Sequence, residues 1–78
     1  MDYTLHVTDR DGKELCIEIG DTFKATSPEG RTYLYRYNGI MPDGCGYDIY
    51  LYNETTGTYL NVEEKWFTQR HIRQQERR

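Results

Sequence analysis

Residues 47–62 read YDIYLYNETTGTYLNV, and their reading decides the fold. Tyr47 to Tyr52 and Thr58 to Val62 are runs rich in β-forming residues, each alternating between two side-chain classes. Between them lies Glu54-Thr55-Thr56-Gly57, a four-residue loop with glycine at its last, left-handed place. Such a hairpin sets Tyr52 opposite Tyr59, Leu51 opposite Leu60 and Ile49 opposite Val62. Because side chains alternate across a strand, one face is then aliphatic (Ile49, Leu51, Leu60, Val62). The other carries Tyr50, Tyr52, Tyr59 and Asn61.

The same logic extends towards the N-terminus. Tyr3, Leu5 and Val7 alternate with polar residues, as do Leu15, Ile17 and Ile19, and Asp9-Arg10-Asp11-Gly12 is a turn between them. The predicted register pairs Val7 with Leu15, Leu5 with Ile17 and Tyr3 with Ile19; slipping it by one would set Val7 against a polar residue. Gly20-Asp21 breaks the second strand. Thr22 to Thr26 extends again before the Ser27-Pro28-Glu29-Gly30 turn, and Arg31 to Tyr37 is a strand with Tyr33, Tyr35 and Tyr37 on one side. Asn38 to Gly46 (NGIMPDGCG) is expected to be a loop. Its apolar Ile40 and Met41 either fold back over the body or contact a partner.

Two endings fit the C-terminal segment. Asn61 and Glu64 have capping-box spacing, which predicts a short helix from about Glu63 to Gln69 or beyond; the competing reading is a 3₁₀ turn at Lys65-Trp66-Phe67 followed by a closing strand, Thr68 to Arg73. The expectation is therefore one mainly β domain over residues 1–72. It is a five-stranded, antiparallel, strongly bent sheet or small barrel built from hairpins, with a short C-terminal helix, followed by a basic polar tail over 73–78.

Composition bounds what such a domain does. The 78 residues contain twelve Leu, Ile and Val against eleven aromatics, eight of them Tyr. A domain this small buries only about 60% of its unfolded surface, and every buried tyrosine needs a partner for its hydroxyl. Some tyrosines are thus expected to line a surface, where Tyr gives large contact area at low entropic cost. Tyr35, Tyr37, Tyr50, Tyr52, Tyr59 and Trp66, with Ile40 and Met41, are the candidate contacts for a protein partner. The alternative to a tyrosine surface is a set of core rings covered by Trp66 and Phe67.

The formal charge is −3, and Arg70, Arg73, Arg77 and Arg78 against Glu76 place +3 in the last nine residues, leaving about −6 on the remainder. An acidic body is a poor footprint for a phosphate backbone. The alternative function is nonetheless single-stranded nucleic-acid binding, with bases stacked on the Tyr face and those four arginines on the phosphates.

Catalytic and metal-binding patterns are weak. Cys16, Cys45, His6 and His71 lack the paired spacings of a zinc site, and Asp9-x-Asp11-Gly12-x-Glu14 runs into a strand where a calcium loop would continue. Cys45, between two glycines, has no base placed by the sequence to activate it. We therefore expect no enzymatic activity, no cofactor and no metal. MDYTLHV carries no basic start or apolar run, so a cytoplasmic protein without a membrane span is expected, with both thiols reduced and packed. The expected assembly is a monomer, or a homodimer formed through an edge strand.

Gly20-Asp21-x-Phe23, the Tyr-rich strand, Tyr52-Asn53-x-Thr55-x-Gly57, Val62 and Trp66-Phe67-x-x-Arg70 together resemble the layout of SH3-like small β-barrels. The chain is similar, more narrowly, to short bacterial, phage or mobile-element proteins that carry such a barrel. The resemblance spans roughly residues 20–72. It implies a five-stranded bent sheet and a binding role, such as modulating or inhibiting a host protein. The acidic loop and Trp pair of peptide-binding SH3 domains have no counterpart here.

Overall fold

The structure, a computed structural model, describes residues 3–75, and of Asp43 the backbone alone. Among these described residues seven strands and one helix follow in the order β1 (Leu5–Thr8), β2 (Glu14–Ile17), β3 (Thr22–Thr26), β4 (Thr32–Asp43), β5 (Gly46–Asn53), β6 (Thr58–Val62), α1 (Glu64–Thr68) and β7 (His71–Gln74). They form a β1-β2 hairpin and a five-stranded antiparallel sheet ordered β6-β5-β4-β3-β7. Among the described residues β6 and β7 remain separate edges, so no ladder closes the sheet into a barrel.

Both hairpin registers expected from the alternation are observed. Leu5 faces Ile17 and Val7 faces Leu15, while Ile49, Leu51 and Tyr52 face Val62, Leu60 and Tyr59. Gly57 takes φ +75° and donates its N–H to the Asn53 carbonyl at 2.7 Å, closing the turn as only a residue without Cβ does at ease. The expected Tyr3–Ile19 pair does not form. The chain turns at Glu18, whose carbonyl accepts from the Asp21 N–H and whose own N–H donates to Asp21 Oδ2, leaving Tyr3 and Ile19 exposed.

The largest departure from the sequence reading is at residues 38–46. They form no loop: β4 continues to Asp43 and pairs with β5 down to Asp43–Gly46. A bulge between Tyr37 and Gly39 makes this feasible by inserting one residue opposite the Leu51–Tyr50 step. The inserted residue resets the alternation, so Ile40 shares the inner face with Tyr37 and packs partly buried against the core, while Met41 turns outward. Gly39, at φ +123°, supplies the backbone conformation the bulge requires. Pro42 is tolerated because, among the described residues, β5 is the one strand beside β4 beyond Tyr37.

The ending combines both alternatives: a five-residue helix and then a four-residue strand. No capping box forms, because Asn61 stays in β6 opposite Tyr50 and the helix starts after Glu63, which gives no side-chain cap. β7 carries the sheet to Gln74, so Arg73 and Gln74 are strand residues and not part of a tail.

One core joins the layers. Leu5, Val7, Leu15 and Ile17 of the hairpin cluster with Phe23, Ala25, Tyr35, Tyr37, Ile49, Leu51, Val62 and Ile72 from the inner sheet face and with Phe67 of α1. Aliphatic and Phe side chains buried to this degree contribute roughly 1.5–3 kcal/mol each. The Tyr37 hydroxyl, fully buried, donates to the Tyr3 carbonyl at 2.6 Å, which meets its need for a partner.

Candidate binding surface

Strand alternation puts the side chains that are not in the core on the outer sheet face. Cross-strand pairing arranges them in rows: Arg73, Lys24 and Leu34 in one, and Thr22, Arg36, Tyr52 and Tyr59 in the next. Tyr50 and Asn61 follow, then Met41 and Asp48. The Tyr52 and Tyr59 rings lie 4.6 Å apart at 54°, and Tyr59 is 79% exposed. The Tyr50 hydroxyl reaches Met41 Sδ at 3.9 Å. Arg36, beside Tyr52, pairs with Glu54, a half-exposed contact of about 0–1 kcal/mol. Lys24 and Arg73 stand directly opposite each other, with no acidic partner for either among the described residues.

The candidates from the sequence divide sharply. Tyr50, Tyr52, Tyr59 and Met41 share the outer face. Tyr35 and Tyr37 do not: they are 6% and 0% exposed and belong to the core, because the inner face of β4 looks onto the hairpin and α1. Burial pushes the Tyr35 hydroxyl pKa up against the opposing pull of Arg70. Trp66 is a core-flanking ring. It meets Tyr35 edge-on at 5.1 Å and Phe23 at 6.3 Å, so α1 covers the Tyr35 end of the core and leaves the Tyr50 set open.

Arg70 is likewise tied down rather than part of a free basic tail. Its guanidinium lies 4.3 Å from the centre of the Trp66 ring and donates to the Trp66 carbonyl at 3.0 Å. Arg73 is exposed on the outer face, and Arg77 and Arg78 lie outside the described residues. Lys24, Leu34 and Arg36 were not singled out from the sequence, although alternation against Tyr33, Tyr35 and Tyr37 already places Leu34 and Arg36 opposite the core.

A second constellation sits at the β1-β2 turn, where Asp9, Asp11 and His71 bring ligand-type atoms within 4.8 Å of one another. Asp9 is committed to the backbone: Oδ1 accepts from the Asp11 and Lys13 N–H groups at 2.9 Å each, and Oδ2 from the Ile72 N–H at 3.3 Å. Burial works to raise the Asp9 pKa, but those N–H donors and the Lys13 ammonium outweigh it and hold the carboxyl below its ordinary value. Asp11 and His71 are exposed and bonded to each other. The chemistry of this donor set is that of a turn lock joining β1-β2 to β7.

Cys16 and Cys45 are free and exposed, contrary to the expectation that they pack, and among the described residues neither thiol is hydrogen-bonded to a base. Cys45 borders a shallow groove with Tyr47, Glu63, Glu64 and Lys65. Among the described residues no helix is long and apolar enough to cross a membrane. The chain matches no protein-family model, no curated protein and no solved structure.

Proposed function

We propose that the chain is a small, non-catalytic interaction module that takes a partner protein on its outer sheet face, centred on Tyr50, Tyr52 and Tyr59. The observation that carries the proposal is the Tyr52–Tyr59 pair, whose Tyr59 is 79% exposed on the edge strand β6, uncovered among the described residues. Aromatic rings with a polar tip dominate protein contacts because they contribute area at little entropic cost. Covering such a pair is favourable, while exposing it gives the isolated domain little. The resemblance of the sequence to the layout of SH3-like small barrels accords with a binding role, including modulation of a host protein by a phage or mobile-element product.

The test compares wild type with a Tyr52→Ala/Tyr59→Ala double variant as baits in cell lysate, after circular dichroism has established that both are folded. Proteins retained by wild type and released by the variant are the expected outcome. An identical captured set refutes the assignment of this face.

One observation favours single-stranded nucleic acid as a second reading. Lys24, Arg36 and Arg73 stand on the same face as the tyrosines, and the Lys24–Arg73 pair sets two cations side by side. An oligonucleotide titration at low salt decides: binding that weakens steeply with added salt supports it, and no binding ends it.

A further inference from the structure

The chain itself closes one edge of the five-stranded sheet. At β7 the Arg10 N–H donates to the Arg70 carbonyl at 2.8 Å, Lys13 Nζ donates to the Ile72 carbonyl at 2.6 Å, and the Ile72 N–H donates to Asp9. Gln74 Nε2 adds a bond to the Cys16 carbonyl at 2.9 Å. No such cover lies over β6 among the described residues.

The groups that β6 turns outward follow from its pairing. The Glu54 N–H donates to the Leu34 carbonyl on the β4 side, so the backbone groups of Asn53, Leu51 and Ile49 turn towards β6. Their partners Thr58, Leu60 and Val62 therefore direct N–H and C=O to β5, and those of Tyr59 and Asn61 point away from the sheet. β6 reads TYLNV. It has no charge, no proline and no shift in register, which are the usual means of blunting an exposed edge.

We propose that β6 is a homodimerisation edge: two copies pair β6 antiparallel about a two-fold axis through Leu60, giving one ten-stranded sheet. In this register Tyr59 of each copy lies opposite Asn61 of the other. All the outward backbone groups of both strands are then used, in four hydrogen bonds, and every facing side chain in the five-residue overlap is uncharged. The two Leu60 residues form the non-hydrogen-bonded pair, the closer kind, with Cα atoms about 4.5 Å apart. Leu60 is half-buried in the single chain and gains cover there.

Neighbouring registers are poorer. Centring on Tyr59 sets Asn61 against Gly57, whose N–H is already given to Asn53. Centring on Asn61 sets Tyr59 against the charged Glu63. The dimer leaves the outer face open and doubles it, placing two sets of Tyr50, Tyr52 and Tyr59 side by side. It thus goes beyond the assignment of that face to a partner, and it needs no partner to be measured.

Sedimentation equilibrium of the purified full chain, from about 10 µM to about 1 mM, tests it directly. Wild type is expected to show a concentration-dependent dimer. Asn61→Pro removes an outward donor without touching the ladder to β5, and raises the dissociation constant at least about tenfold. Tyr59→Lys/Asn61→Lys changes exposed positions only and sets Lys opposite Lys twice, which abolishes the dimer; Tyr59→Glu/Asn61→Lys sets Glu opposite Lys and restores it. A wild-type monomer throughout the range overturns the proposal, as does a dimer indifferent to both Asn61→Pro and Tyr59→Lys/Asn61→Lys.

Discussion

Replacing Asp9 with alanine should cost about 3 kcal/mol, and the estimate follows from what its carboxylate holds. Three backbone N–H groups converge on it, and hydrogen bonds to a charged acceptor contribute roughly 1.5–3 kcal/mol each. The Asp11 and Lys13 amides belong to exposed residues and regain water in the variant, so they return only part of that sum. The Ile72 N–H belongs to a fully buried residue and is left to find another partner. Domains of this length have total stabilities of about 4–12 kcal/mol, so the loss is a large share. It lowers Tm by about 12–24 °C.

Asp9→Asn separates the two halves of the interaction. It keeps an oxygen for the turn amides but turns an NH₂ towards the Ile72 N–H, and should cost about half as much. The pH dependence follows the sign of the pKa shift. A carboxyl held below its ordinary 3.8 contributes stability above that pH and loses it as pH falls through the folded value. The acid limb of wild type should therefore be steeper than that of Asp9→Asn. Denaturant unfolding with amide exchange at Ile72 checks the chain of reasoning. An alanine variant within about 0.5 kcal/mol of wild type, or an unchanged Ile72 exchange rate, would refute it.

Tyr37→Phe keeps the packed ring and removes the bond to the Tyr3 carbonyl, so chemical denaturation should show a loss of about 1 kcal/mol. Gly39→Ala asks a residue with a Cβ to hold φ +123°, and its unfolding free energy should fall by about 1–3 kcal/mol. The cost is backbone strain alone, because the added Cβ would meet Ile19 Cδ1 at an ordinary 3.8 Å.

Where local rules sufficed, sequence and structure agree. The turn at Glu54–Gly57 and the alternation around it specify one register, because a slip by one residue exposes Ile49 and Leu51, and that register is present. The β1-β2 pairing holds for the same reason. The outer position of Tyr50, Tyr52 and Tyr59 was legible from alternation alone. The two-residue loop at the tip of the β4-β5 hairpin was not, because Gly, Pro and Asp at 38–46 serve equally as loop formers and as bulge and edge residues. The bulge at Asn38 decided which role they took.

Periodicity says which side chains share a face, and that much the sequence determined: hairpins, their registers, and the separation of an aliphatic face from a tyrosine face. It does not say which face a distant element covers. Tyr35 and Tyr59 look alike in the chain, yet one is 6% exposed and the other 79%, because α1 sets Trp66 and Phe67 against the β3-β4 end of the inner face. Likewise, four basic residues near the C-terminus read as a tail until the long-range pairing of Ala25 with Ile72 draws residues 71–74 into the sheet and stacks Arg70 on Trp66. Those outcomes depend on contacts between residues about thirty to fifty positions apart. Tertiary packing alone closed the β7 edge with the β1-β2 turn and, among the described residues, left β6 with its Tyr59 facing outward.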